Sequence, residues 1–167
     1  MVGGSTQHAK VSFIGLPAVG KTSIVTLLSD NKVVVNYQQT IGLNFGFLSV
    51  GDYEVSLFDI AGQDRFQFLW RGLTRGSKVI FIVTDSTRIN LLKTKEVVQK
   101  YANVPGTTFK IIANKQDLPG ALNPKEVEDF LGLKTYGMVA TDINKKVSMS
   151  QILRETIEES VLEQGSN

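Results

Sequence analysis

The sequence predicts a three-layer α/β domain: a six-stranded, mostly parallel sheet with one antiparallel edge hairpin and about five helices on its two faces. Three observations carry that expectation. Strand-like and helix-like runs alternate along nearly the whole chain. The run at residues 79–83 is wholly apolar, as suits a parallel strand covered on both faces. One Gly51-Asp52 pair separates two β-rich runs with no helix between them. A chain of 167 residues is one domain by length, with room for a sizeable core.

Taken in order, residues 1–9 are small and polar and read as a disordered leader ahead of a domain at 10–167. The only histidine, His8, falls in that leader and is no candidate for catalysis. Residues 11–14, with Val11, Phe13 and Ile14, read as the first strand. Ile24, Val25, Leu27 and Leu28 recur at helical spacing, which predicts a helix over 21–28. Residues 30–39 show no clean period and read as a loop. Residues 43–50 and 53–59 flank the tight reversal and should form the hairpin. After the strand at 79–83 come a helix around 89–102 and a strand at 109–113. Pro124 suits the first position of a short helix that ends near Leu131, before Gly132. A last strand is expected at 136–140. Ser148 with Gln151 three residues on reads as a capping box for the final helix, whose buried face is Met149, Ile152, Leu153, Thr156 and Ile157. In a sheet of this kind, ligands bind beyond the carboxyl ends of the strands.

Composition narrows the partners. Hydrophobic content of 42% and charged content of 20% are ordinary for a globular protein. A net charge of +2, with no basic cluster, gives no reason to expect nucleic acid. The absence of cysteine excludes disulfides, thiolate metal sites, prenylation and palmitoylation, and points to a reducing cytoplasm. The apolar runs are too short to span a bilayer, and Val2 does not fit the myristoylation pattern, so membrane contact is expected only through a partner.

The stretch from Gly15 to Thr22 reads G-x-x-x-x-G-K-T between a strand-like and a helix-like run. Glycines at 15 and 20 let the backbone curl until successive N–H groups face phosphate oxygens, and the following helix adds the positive end of its dipole. Lys21 supplies a mobile charge for the β- and γ-phosphates, and the Thr22 hydroxyl suits Mg²⁺. Pro17 has no N–H, so the loop has one donor fewer and is stiffer there. Asp59, at the end of a strand in the run Asp59-Ile60-Ala61-Gly62-Gln63, can hold Mg²⁺ through water. The Gly62 N–H can approach a γ-phosphate, and the uncharged Gln63 amide can orient an attacking water. Thr40 can offer its hydroxyl to Mg²⁺ and its N–H to the γ-phosphate.

Asn114-Lys115-Gln116-Asp117 follows another apolar strand and is the candidate base reader. A carboxylate at Asp117 can accept from N1–H and the 2-amino group of guanine, whereas adenine offers neither donor there. Asn114 can tie this loop to neighbouring backbone, and the Lys115 stem can lie along the base. Ala140, in Val139-Ala140-Thr141, can donate its N–H to guanine O6.

In their order and spacing these motifs resemble a small Ras-like GTPase, and the details resemble the ADP-ribosylation factor (Arf) family. The closer match rests on Gln39-Thr40-Ile41-Gly42, on Gln63-Asp64-Arg65 leading to Leu69-Trp70-Arg71, and on NKQDLPG from Asn114 continuing to Leu131-Gly132-Leu133. The likeness spans residues 10–162. It implies a P-loop NTPase domain that binds GTP or GDP with Mg²⁺, hydrolyses GTP slowly, and engages effectors only as the triphosphate form. It implies nucleotide contacts from Gly15, Ala18, Val19, Gly20, Lys21, Thr22 and Ser23 in the loop. Thr40, Gly62, Asn114, Lys115, Asp117, Ala140 and Thr141 would complete the site. Metal would fall to Thr22, Thr40 and Asp59, catalysis to Gln63 and Lys21.

The resemblance also implies a monomer served by an activating protein, an exchange factor and effectors, with an interswitch hairpin that slides in register. Leu43, Phe58 and Leu73 would form an exposed effector patch; the alternative places Phe58 and Leu73 in the core. The leader has no acceptor glycine at position 2 and no apolar face, Pro17 stands where the family commonly has aspartate, and Ala61 where it has glycine. These departures suit a divergent relative. Two other readings stay open: a GTP-bound scaffold that does not hydrolyse, which Gln63 argues against, and an ATP-using P-loop enzyme, which Asp117 argues against.

Overall fold

The computed structural model describes residues 6–29 and 42–166. Its strands are β1 (Gln7–Gly15), β2 (Leu43–Val50), β3 (Tyr53–Ile60), β4 (Val79–Thr84), β5 (Thr108–Ala113) and β6 (Thr135–Gly137). The helices are α1 (Lys21–Leu28), α2 (Trp70–Leu73), α3 (Arg88–Tyr101), α4 (Pro124–Leu131) and α5 (Lys146–Gly165), with 3₁₀ turns at Asp64–Leu69 and Ile143–Lys145. The expected loop at 30–39 and Thr40 lie outside the described residues.

The strands form one sheet in the order β2-β3-β1-β4-β5-β6. Every pairing is parallel except β2 with β3. All six residues of β4 are buried, as its unbroken apolar run requires of a strand sandwiched by helices. Phe13 and Phe81 stack at 5.4 Å between centroids on the neighbouring strands β1 and β4, and the core runs from there through Leu57, Ile82, Ile111 and Ile112.

The local signals act as their chemistry dictates, with three corrections. Asn123 and Glu126 form a reciprocal capping box, Pro124 occupies the first turn, and Gly132 ends α4 in the left-handed region at φ 79°. The first strand starts at Gln7 rather than Val11, because residues 7–10 pair with Tyr53 to Ser56 although burial begins only at Ala9. The last strand stops at Gly137, because Met138 makes the final backbone bond to Ala113 and the chain then turns toward Asn114.

Ser148 does not cap α5. Asp142 caps the preceding 3₁₀ turn through the Asn144 N–H, the helix is already under way at Lys146, and the Ser148 hydroxyl donates back to the Lys145 carbonyl. Met149, Leu153, Thr156 and Ile157 are buried as expected, Ile152 only partly.

The hairpin register runs from Val50 opposite Tyr53 to Leu43 opposite Ile60. Leu43, Phe58 and Leu73 are all half-buried and pack against the core. One face of Phe58 is covered by the Lys10 ammonium, 4.3 Å from the ring centre, and its ring meets Phe45 edge-on at 4.8 Å. The supposed patch is thus partly covered. The more exposed apolar side chains nearby are Phe47 and Phe68. No described helix is long and apolar enough to cross a membrane.

Candidate functional site

The sharp turn after β1 needs backbone freedom at two points. At Gly15 a Cβ would lie 2.4 Å from the Val83 carbonyl oxygen, and at Gly20, with φ 102°, it would lie 2.2 Å from the Asn114 amide nitrogen. With both free of a Cβ, the loop folds back on itself and delivers the chain into α1. No side chain caps that helix and no acidic residue sits in its first turn, so its N-terminal N–H groups and dipole are open to an anion.

Lys21, only 6% exposed, crosses the loop and donates to the Gly15 and Leu16 carbonyls at 3.0 and 2.8 Å. Burial pushes its pKa down to about 8, partly offset by the charge of Asp59. A cation held this far out of water gains from an arriving polyanion.

Asp59 is 3% exposed at the end of β3. Its Oδ2 accepts from the Thr22 hydroxyl at 2.5 Å and from the Asn44 amide at 2.9 Å. A hydroxyl and a carboxylate oxygen meeting in this way are ligands that suit a hard cation. Among the described residues no three His, Cys, Asp or Glu side chains gather as a metal cage, so a cation here would take its remaining ligands from phosphate and water, as Mg²⁺ commonly does. The Asp59 and Thr22 oxygens therefore fit the expected group.

Gly62 lies directly against the loop: a Cβ there would fall 2.3 Å from the Gly15 oxygen and 2.6 Å from the Leu16 carbonyl carbon. The preceding Ala61 is pinned from two sides, its N–H bonding the Gly42 carbonyl at 2.8 Å and its carbonyl taking the Trp70 indole N–H at 2.9 Å. Gln63 is exposed, and its Oε1 accepts from the Arg65 Nε at 2.9 Å.

The loop at 114–117 is clasped onto the loop at 15–22. Asn114, 3% exposed, donates to the Val19 carbonyl at 2.9 Å and accepts from the Ala140 N–H at 3.0 Å. Lys115 and Ala18 both have left-handed backbones, at φ 60° and 61°, and the Lys115 ammonium donates to the Ala18 carbonyl at 2.6 Å. Asp117 is exposed at the open end of this clasp. The Ala140 N–H is engaged by the Asn114 side-chain oxygen, so it would reach a base by sharing or exchanging that bond. Thr141 follows it at the surface. The structure thus brings together Gly15 through Thr22 with Asp59, Gly62, Asn114, Lys115 and Ala140, and leaves Gln63, Asp117 and Thr141 at the rim.

Asn44, Ser86 and Trp70 join this network without having been expected there. Asn44 was legible: counting back from the two-residue turn puts it opposite Asp59. Ser86, at φ 67° and fully buried, donates to the Asn114 carbonyl at 2.6 Å and accepts from the Gln116 amide, contacts that no local pattern announces.

Residues 1–164 match the ADP-ribosylation factor family. Among solved structures, the chain is similar to the Arl6 BBS3 small GTPase from Trypanosoma brucei with bound nucleotide analogue GppNp. The TM-score is 0.70 and the identity 21%, over 92% of this chain and 99% of that one.

Proposed function

The chain belongs to the ADP-ribosylation factor family, and on that premise we propose that it is a Mg²⁺-dependent GTP-binding and GTP-hydrolysing switch whose effectors are selected by the γ-phosphate. The observation that carries this reading is the convergence on one loop of buried Lys21, the Thr22–Asp59 oxygen pair and Gly62. Lys21 exchanges its two carbonyl partners for phosphate oxygens. The loop N–H groups and the α1 dipole then hold the charge that spreads over those oxygens as the γ-phosphoryl leaves. Thr22, Thr40 and, through water, Asp59 would hold Mg²⁺, which would supply charge neutralisation at the phosphates.

Gln63 leaves Arg65 and orients the attacking water. Residues 36–39 contain no arginine that could serve as a built-in finger, so turnover is slow until an activating protein supplies one. Thr40 and Gly62 report the γ-phosphate through two charge-assisted hydrogen bonds, about 3–6 kcal/mol together. Inverting a two-state population of one to ninety-nine takes about 5.5 kcal/mol, so these contacts come close to sufficing.

The Gln63–Arg65 bond also favours a second reading, a GTP-bound scaffold that does not turn over, because it occupies the Gln63 amide oxygen that a positioned water would use. Single-turnover GTP hydrolysis separates the two. Under the hydrolytic reading Gln63→Leu falls about 100-fold below the parent, within the ordinary range for losing one positioned group. Equal measurable rates in the two proteins remove Gln63 from the mechanism, and no hydrolysis by either supports the scaffold.

A further inference from the structure

Where the chain enters β4 and β5, between α2, the last turn of α3 and the end of α5, lies a cleft of about 550 Å³ that no residue of the stretches 20–22 or 114–117 lines. Buried Trp70, Tyr101 and Ile80 line its inner surface. Four cations from separate places in the chain line it as well: Arg71 in α2, Arg75 in the turn beyond, Lys78 at the entry to β4 and Lys100 in the last turn of α3. No aspartate or glutamate lines it. The larger cleft beside Gln63, about 890 Å³, mixes Asp64, Asp85 and Glu96 with Lys93 and Lys100 and neutralises itself.

Apart from Lys100, which also borders the acidic larger cleft, these cations find little to offset them. None takes part in an ion pair among the described residues. Lys78 donates to the Gln164 side-chain oxygen at 2.6 Å and Arg71 to the Lys100 carbonyl at 3.2 Å, both neutral acceptors. The Arg71 and Lys100 cations also lie 5.8 and 5.2 Å from the Tyr101 ring centre. Glu163, near Gln164 in sequence, is already an acceptor for the Thr108 hydroxyl. Like charges gathered in a concave, partly apolar cleft repel one another and focus a positive potential. A compact group with two or more phosphates relieves that repulsion, and arginine forks hold phosphate oxygens bidentately. The volume is in the range of small-molecule sites.

We propose that this cleft is a second site, separate from the nucleotide loops, for a compact polyphosphorylated group such as an inositol polyphosphate, free or as a lipid headgroup. Occupancy bears on the switch by a short route. Trp70 adjoins Arg71 in α2, and its indole N–H holds the Ala61 carbonyl next to Gly62. A ligand that fixes α2 therefore fixes Ala61, and nucleotide and anion alter each other's affinity by the same factor.

The test uses the full chain saturated with GDP and Mg²⁺ in about 0.1 M salt, where diffuse surface attraction is screened beyond about 10 Å. Inositol trisphosphate is titrated by calorimetry and by the fluorescence of Trp70, the chain's only tryptophan. In parallel, vesicles containing phosphatidylinositol bisphosphate are compared in flotation with phosphatidylserine vesicles of equal charge. The expected result is saturable binding below about 1 mM. Arg75→Glu, at an exposed side chain with no bonded partner among the described residues, should weaken it at least about tenfold, and Lys93→Glu should leave it within about twofold. Binding of the soluble trisphosphate supports a free ligand, and selective flotation alone supports a headgroup. No saturable binding in either arm, or equal losses in Arg75→Glu and Lys93→Glu, overturns the proposal.

Discussion

The two halves of the candidate site are built differently. On the base side, the four polar groups of Asn114 are all engaged and buried: its N–H with Thr84, its carbonyl with Ser86, its amide nitrogen with Val19 and its amide oxygen with Ala140. On the side proposed to sense the γ-phosphate, the 3₁₀ turn Asp64–Leu69 has no buried residue. The ties from this segment to the rest of the fold include Trp70 to Ala61 and the Tyr101 hydroxyl to the Gln67 carbonyl at 3.1 Å. A loop with saturated buried polar groups opens only at high cost, whereas an exposed turn on a few bonds opens cheaply. One half is preformed to hold; the other is free to respond.

Breaking the preformed half should have the largest effect. Asn114→Ala leaves the Val19 carbonyl and the Ala140 N–H without their partner inside the protein. At about 1–3 kcal/mol for each, unfolding in urea should show a loss of about 2–6 kcal/mol. A loss below about 1 kcal/mol would mean that the clasp is not what holds the two loops together.

The second test is pH. Lys21 has a folded pKa of about 8 against an ordinary 10.5, lowered by burial. Below pH 8 it is protonated folded and unfolded, and the burial cost is present in full. As pH rises from about 8 to 10.5 the folded form gives up its proton first, the unfolded chain binds more protons, and stability rises. The nucleotide-free protein should therefore gain up to about 3 kcal/mol from this group across that window, and Lys21→Met should flatten the rise. A flat contribution would place Lys21 in solvent rather than in the loop.

The smallest effect is expected on the responsive half. Tyr101→Phe removes only the hydroxyl that donates to the Gln67 carbonyl, about 1 kcal/mol. Hydrogen exchange should quicken over residues 61–73 and stay unchanged at 114–117. Uniform quickening would show that the halves are not separately stable.

How far the sequence foretells this follows from how local each cause is. The phosphate loop, the α4 cap and the hairpin are set by residues within a few positions of one another, and all were legible. The α5 start was misread at Ser148 because Asp142, upstream, turns the chain earlier. The Asn114 network draws on β1, β4 and the segment after β6, so Ser86 and the engagement of Ala140 could not be read from spacing. The covering of Phe58 by Lys10 has the same origin, two strands brought side by side by the sheet order.

The central claim is that a preformed clasp presents the Asp117 carboxylate to a purine while the phosphate loop grips its polyphosphate. Parallel titrations of nucleotide-free protein with guanosine and adenosine diphosphates in magnesium buffer test it directly. The account predicts at least about 10⁴-fold tighter binding of the guanosine nucleotide, the discrimination reached by sites that leave polar groups unpaired with the wrong ligand. Equal affinity for the two would contradict it.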